Sequence, residues 1–242
     1  LPEDMAGGMV NTNVTQSTMN NVMQVVDTTA SRKTAYIESE DGRLGFRLVF
    51  DDMDDNRLAF GTRLTLSLDG TKVVCEENPR RYTISGIGEE NMLESMPGVQ
   101  VPEKVKSISE LTDDDMYTYT GIRGVEFPVK EGSYTDIREN HALWSSVNDL
   151  TVSLTDNKRY FYMDGYANLL VDGDGKAICA PINMLCTWRK PEAGIPQGAG
   201  TAYGIIVHNE LKRYGDAGRY QLRVVDEKGF ADLAGPSGWN LI

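Results

Sequence analysis

Histidine is nearly absent from this chain. There are two in 242 residues, His141 and His208, far apart in sequence. The three cysteines, Cys75, Cys179 and Cys186, lack C-x-x-C spacing. A structural zinc site draws on closely spaced Cys and His pairs, so this supply argues against one. A nucleophile–histidine pair would have to recruit one of those two histidines, and the G-x-S-x-G turn of the serine hydrolases is missing. No run of about 20 apolar residues exists, so no segment reads as a membrane-spanning helix. Basic charge is also short: 24 Lys and Arg stand against 36 Asp and Glu, a net charge of −12. Affinity for nucleic acid comes largely from Lys and Arg on phosphates. The balance therefore disfavours polyanions and suits a soluble exported domain, or one that binds cations or neutral sugars.

What is present is period-two alternation. A hydrophobic share of 40% with 25% charged residues is a globular composition, and the length accommodates two domains of about 100 residues. The chain starts at Leu1-Pro2 rather than Met, which reads as a removed leader or a piece excised from a longer protein. Residues 1–31 form an N-terminal segment, with Val22 to Val26 a short helix or an entering strand. From Lys33, KTAYIESEDGRLGFRLVF alternates on both sides of an Asp41-Gly42 turn, a strong hairpin signal. Leu64, Leu66 and Leu68 alternate again, and Val73 to Cys75 and Tyr82 to Ile84 complete a β-rich unit. With its spacer, this unit spans 32–104.

The second unit spans 105–242. Ser107-Ile108-Ser109-Glu110 fits a capping box opening a helix of about two turns, with Asp113, Asp114 and Asp115 as solvated residues at its end. Strands are expected over 117–129, 159–163, 169–171, 201–207 and 219–225, with Gly121 and Gly124 allowing a bulge or bend. The long segments 130–158 and 179–200 read as loops. The fold expectation is all-β with short helices: two small OB-like Greek-key barrels in tandem.

Two blocks carry a resemblance: AYIESEDGRLGFRLVF with TRLTLSL and VPEKVKSISEL, and IPQGAGTAYGIIVHN with GRYQLRVVDEKGFAD. Over residues 30–232 this pattern is similar to an uncharacterised family of Bacteroidetes exported lipoproteins with tandem OB-like domains. The resemblance implies export, a lipid anchor upstream of Leu1, and a place on the outer-membrane surface or in the periplasm. It implies no activity and no cofactor.

Several constellations remain as candidate sites. In Arg159-Tyr160-Phe161-Tyr162 a strand would place Tyr160 and Tyr162 on one face, where OB barrels stack bases or sugars. The competing reading is that this face fills the barrel. Trp144 and Trp188, in the long segments, suit stacking on a sugar ring, or else pin their loops to the barrel. Asp172-Gly173-Asp174-Gly175 alternates carboxylates with glycines. Calcium takes roughly six to eight oxygen ligands, and two carboxylates fall short, so a hairpin turn is the first reading and a calcium loop the second. The acidic run 51–55 reads as a solvated loop. Gly198 to Gly204 misses the dinucleotide spacing and precedes a strand, which rejects a phosphate site. Cys179 and Cys186 read first as buried thiols, with a hairpin disulfide as the alternative.

The favoured function is a non-catalytic binding or assembly module of an exported cell-surface protein, engaging a glycan or a protein partner. Two others stand beside it. One is oligonucleotide binding, which needs a basic strip near Arg159, Lys176 and Arg189. The other is an accessory domain of a larger secreted enzyme.

Overall fold

Leu48 and Phe50, two residues apart in the first alternating block, have essentially no exposed surface, as a strand buried on one face requires. The computed structural model describes residues 13–14, 24–25, 28–128, 166–182, 188, 194–208, 210–211, 215–216 and 218–236. In chain order the strands begin with β1 (Asn13–Val14) and β2 (Gln24–Val25), an antiparallel pair. The one-turn helix α1 (Thr28–Arg32) leads into β3 (Thr34–Glu38) and β4 (Gly45–Phe50). Next come β5 (Arg63–Leu66), β6 (Lys72–Glu76), β7 (Arg81–Ile87) and β8 (Met92–Met96). The second unit holds β9 (Val105–Lys106), β10 (Tyr119–Glu126), β11 (Tyr166–Asp172), β12 (Ala177–Ile182), β13 (Gly200–Val207), β14 (Glu210–Leu211), β15 (Gly215–Asp216) and β16 (Gln221–Arg223).

In the first unit the sheet runs β3-β4-β7-β6, and β5 and β8 form a separate antiparallel ribbon. Both layers cover one small core: Ala35, Leu48, Phe50, Ile84 and Ile87, with Leu64, Leu66 and Met92 packed against it. The outward side of the ribbon leaves Leu93 and Met96 in solvent.

The second unit closes. β10 pairs with β11 and β13, β11 with β12, β12 with β16, and β16 with β13, giving a five-stranded barrel. Ile122, Leu170, Ala202, Ile206 and Leu222 are fully buried members of its core. Gly124, at φ +69°, makes the bulge. The extra residue lets Ile122 and Val125 both reach the core although they are three apart. The two units also share a path. β3-β4 and β11-β12 are antiparallel, β4-β7 and β12-β16 parallel, and β6-β7 and β13-β16 antiparallel.

Three expectations need correction. Part of the expected 179–200 loop is strand β12. The helix after Ser107 is two separate 3-10 turns, Ile108–Glu110 and Asp113–Asp115. Glu110 does reach back to the Ser107 N–H at 2.8 Å, but Leu111 turns extended (φ −65°, ψ 136°) to enter the core and ends the turn. Asp115 is not solvated: it is 1% exposed, held by Lys104 at 3.0 Å, Lys106 at 2.7 Å and the Thr112 N–H at 2.8 Å. The strand expected at 159–163 and the segment 130–158 lie outside the described residues.

The two units meet along a built seam. Tyr36 stacks on Tyr117, centroids 5.0 Å apart. Lys104 Nζ donates to the Thr118 hydroxyl at 2.8 Å, and Asp113 accepts the Arg80 backbone N–H at 3.0 Å. Gly45 backs directly onto the Met116 carbonyl, where a Cβ has no room. Tyr117 is buried with φ +63°, a conformation that is costly for a bulky residue and survives only where its surroundings fix it.

Candidate functional site

A row of three aromatic rings crosses this seam. Phe60 comes from the first unit, in the loop before β5, and is 45% exposed. Its ring lies 5.0 Å from that of Tyr119, at the start of β10. Tyr119 in turn lies 6.1 Å from Tyr203 on β13, the planes within 20° of parallel. Both tyrosines are half-buried.

Sheet register builds the tyrosine pair. Tyr119 stands opposite Ile205, and Gly121 opposite Tyr203, so the two rings are diagonal neighbours on one face, within reach of aromatic side chains. Gly121 is what lets them meet. A Cβ there would come within 2.6 Å of the Tyr203 ring and 2.9 Å of Thr201. Without that side chain, the ring lies over the β10 backbone and toward Tyr119.

The described charges that act on the two tyrosines are carboxylates. Burial raises the Tyr119 phenol most, and the Asp226 carboxylate, Tyr203 and Glu103 add to it, pushing it up to about 12. Burial, then Glu103 and Asp232, raises Tyr203. The ion pairs among the described residues are elsewhere, at Arg80–Asp114, Arg81–Glu76, Arg123–Glu110 and Arg219–Asp113 for example. None of them engages Glu103, Asp226 or Asp232.

A second constellation ties the barrel to the seam. Asp113 accepts from Arg219 at 2.7 and 3.0 Å and from the Tyr220 hydroxyl at 2.6 Å. The Arg219 guanidinium also lies 5.8 Å from the Tyr220 ring centroid. Burial alone would raise the Asp113 carboxyl, but the hydrogen bonds from Arg219, the Arg80 N–H and Tyr220 outweigh it and hold it at about 2.

Of the residues singled out in the sequence, Trp188 packs edge-on against Phe230, centroids 6.3 Å apart, beside the barrel core. Asp172 Oδ1 accepts the backbone N–H groups of Asp174 at 3.0 Å and Lys176 at 2.8 Å, the bonding of a tight turn. Asp174 is exposed. Among the described residues no three His, Cys, Asp or Glu side chains converge as a metal site would need. Tyr160, Tyr162, Trp144, Arg159, Arg189 and Cys186 lie outside the described residues. Cys179 is a free, buried thiol.

The row is not legible as a unit in the sequence. Its one local trace is Tyr119, two residues before Gly121, and Tyr203 inside the glycine-rich block. Only the register joins them. No protein-family model, curated protein or solved structure matches this chain.

Proposed function

We propose that this chain is a non-catalytic binding or assembly module of an exported, cell-surface protein, built on two OB-like barrels in tandem, that engages a glycan or another protein. The observation that carries this reading is the row Phe60–Tyr119–Tyr203 across the seam of the two units. Aromatic rings offer large contact areas at little cost in side-chain entropy, and tyrosine adds a polar edge. A row that needs both units to be complete gives the tandem arrangement a purpose.

The OB-like reading is supported by the five-stranded closure of the second unit and by the strand path the first unit shares with it. Among the described residues, two groups a nucleophilic mechanism would draw on support the non-catalytic reading. Burial pushes the Cys179 thiol up to about 12, which makes it a poor nucleophile. The His208 ring is engaged at Nδ1 with the Arg219 carbonyl, 3.0 Å away. Export and an upstream lipid anchor rest on the family resemblance, and palmitate labelling of the full-length gene product tests them.

Thermal unfolding with soluble glycans, calcium and a single-stranded oligonucleotide tests the binding reading. A native-state ligand at 100 times its dissociation constant adds about 2.7 kcal/mol. A glycan that raises the melting temperature of the chain but not of Phe60→Ala supports the reading. A shift with the oligonucleotide alone replaces it with nucleic-acid binding.

A further inference from the structure

We infer that Tyr119 and Tyr203, with Glu103, Asp226 and Asp232 around them, form a receptor for a cationic side chain, arginine above all, on an extended segment of a partner protein. The inference rests on the binding-module reading and narrows its ligand.

Charge and shape carry the argument together. The two tyrosine rings are nearly parallel, and both are half-buried. Among the described residues three carboxylates act on their hydroxyls, and no basic group does. Those three make no ion pair among the described residues, whereas Arg43, Arg63, Arg80, Arg81, Lys104 and Arg219 each have one. A cation is attracted to a ring face and to each carboxylate. A neutral glycan would use the rings but gain nothing from the charge of these carboxylates. An anionic ligand would be repelled.

Arginine fits better than lysine, because its planar guanidinium stacks on a ring and forks to a carboxylate at once. The chain already contains one such pairing: Arg219 forks to Asp113 while lying near the Tyr220 ring. At the row the carboxylates and the rings are in place, and the guanidinium comes from the partner. Glu103 and Asp232 are exposed, and Asp226 is half-buried with its Oδ1 capping the Lys228 N–H. Glu103 and Asp232 are therefore the two free to turn toward a ligand.

The test is a fluorescence-anisotropy titration of the whole chain with a labelled, capped pentapeptide alternating glycine and arginine. A matched peptide carries citrulline, which keeps the arginine shape without its charge. The arginine peptide binds, and the citrulline peptide binds about tenfold more weakly or worse. Glu103→Gln and Asp232→Asn each weaken arginine binding about threefold with unchanged melting temperatures, and added salt weakens it further. Tyr203→Ala removes the ring and the binding, while Tyr203→Phe keeps the ring and most of the affinity, which separates loss of the ring from misfolding.

Equal binding of the two peptides overturns the inference. So does arginine binding that ignores Glu103→Gln and Asp232→Asn, since it then occurs elsewhere on an acidic surface. If soluble glycans bind in a Phe60-dependent manner while the arginine peptide does not, this inference fails and the binding-module reading stands. If neither binds, this inference fails and the glycan arm of the binding-module reading fails with it.

Discussion

The Glu38 carboxylate on β3 accepts the backbone N–H of Tyr119 on β10 at 2.9 Å, across 81 residues of chain. Its other oxygen, Oε1, is buried without a hydrogen bond. One carboxylate thus fixes the first residue of the barrel's leading strand, the same residue whose ring stands at the centre of the aromatic row. The seam and the candidate site are held by the same group.

That geometry gives Glu38 a pH signature. Burial, the largest influence, raises its pKa above the ordinary 4.5, and the Tyr119 N–H and Lys104 only partly offset it. A carboxyl with a raised folded pKa penalises the fold when ionised. The penalty is complete above the folded value and relieved as pH falls toward the unfolded one. Stability of the wild type relative to Glu38→Gln should therefore rise on going from pH 8 to about pH 5, measured by urea unfolding of both. A constant difference across that window would contradict this account. Glu38→Ala leaves the Tyr119 N–H without its acceptor and should cost about 1–3 kcal/mol.

Asp113 and Asp115 should act in the opposite sense. Both pKa values are lowered against the pull of burial, Asp113 from 3.8 to about 2. The stability they contribute is complete above the unfolded carboxyl value and lost as pH falls through the folded one. Acid unfolding between about pH 4 and 2 should be less steep in Asp113→Asn than in the wild type. Asp115→Ala strands Lys104 and Lys106 around a vacated carboxylate. It should cost about 3 kcal/mol, the low end for a broken buried pair, because the lysines keep 24% and 26% of their side-chain surface in water. Calorimetry that finds no loss would mean the cluster is incidental.

Gly45→Ala should destabilise the chain by about 1–3 kcal/mol, since the new methyl meets the Met116 carbonyl across the seam. Leu93→Ala, on the exposed side of the ribbon, should change stability by less than about 0.5 kcal/mol. If the two variants melt alike, the seam is not the close contact described.

Thiol labelling separates the cysteines. Cys75 is exposed and Cys179 buried, with the Cys179 thiol pushed up to about 12. In a Cys186→Ser background one thiol should react rapidly with a disulfide reagent under native conditions, and a second only on unfolding. Two fast thiols would contradict the burial of β12.

Much of the strand content was legible because it follows local periodicity. Leu48 and Phe50 face the core on the register that alternation implies, and the bulge expected at Gly121 or Gly124 falls at Gly124. Strand β12 escaped because Ala177–Ile182 is short, holds a proline and has little alternation. The turn at Asp172 was legible as a turn because Asp and Gly act within a few residues. Asp115 was not legible as buried. In sequence it is one of three consecutive acids, and only the return of Lys104 and Lys106 beside it makes its burial tolerable. Phe60, Tyr119 and Tyr203 carry no shared local signal at all.

By itself, the sequence determined a β-rich chain with an acidic surface, turns at Asp-Gly pairs, and alternating faces able to fill a core, because backbone propensity and side-chain alternation act over a few residues. Only the tertiary structure decided which strands close into a barrel, and that the two units dock through Glu38, Tyr36 and Gly45. It alone set three rings from residues 60, 119 and 203 in one row. Those outcomes depend on contacts between residues tens to more than a hundred positions apart. Their free energy exists only once both units have formed and the register between β10 and β13 has brought Tyr203 over Gly121.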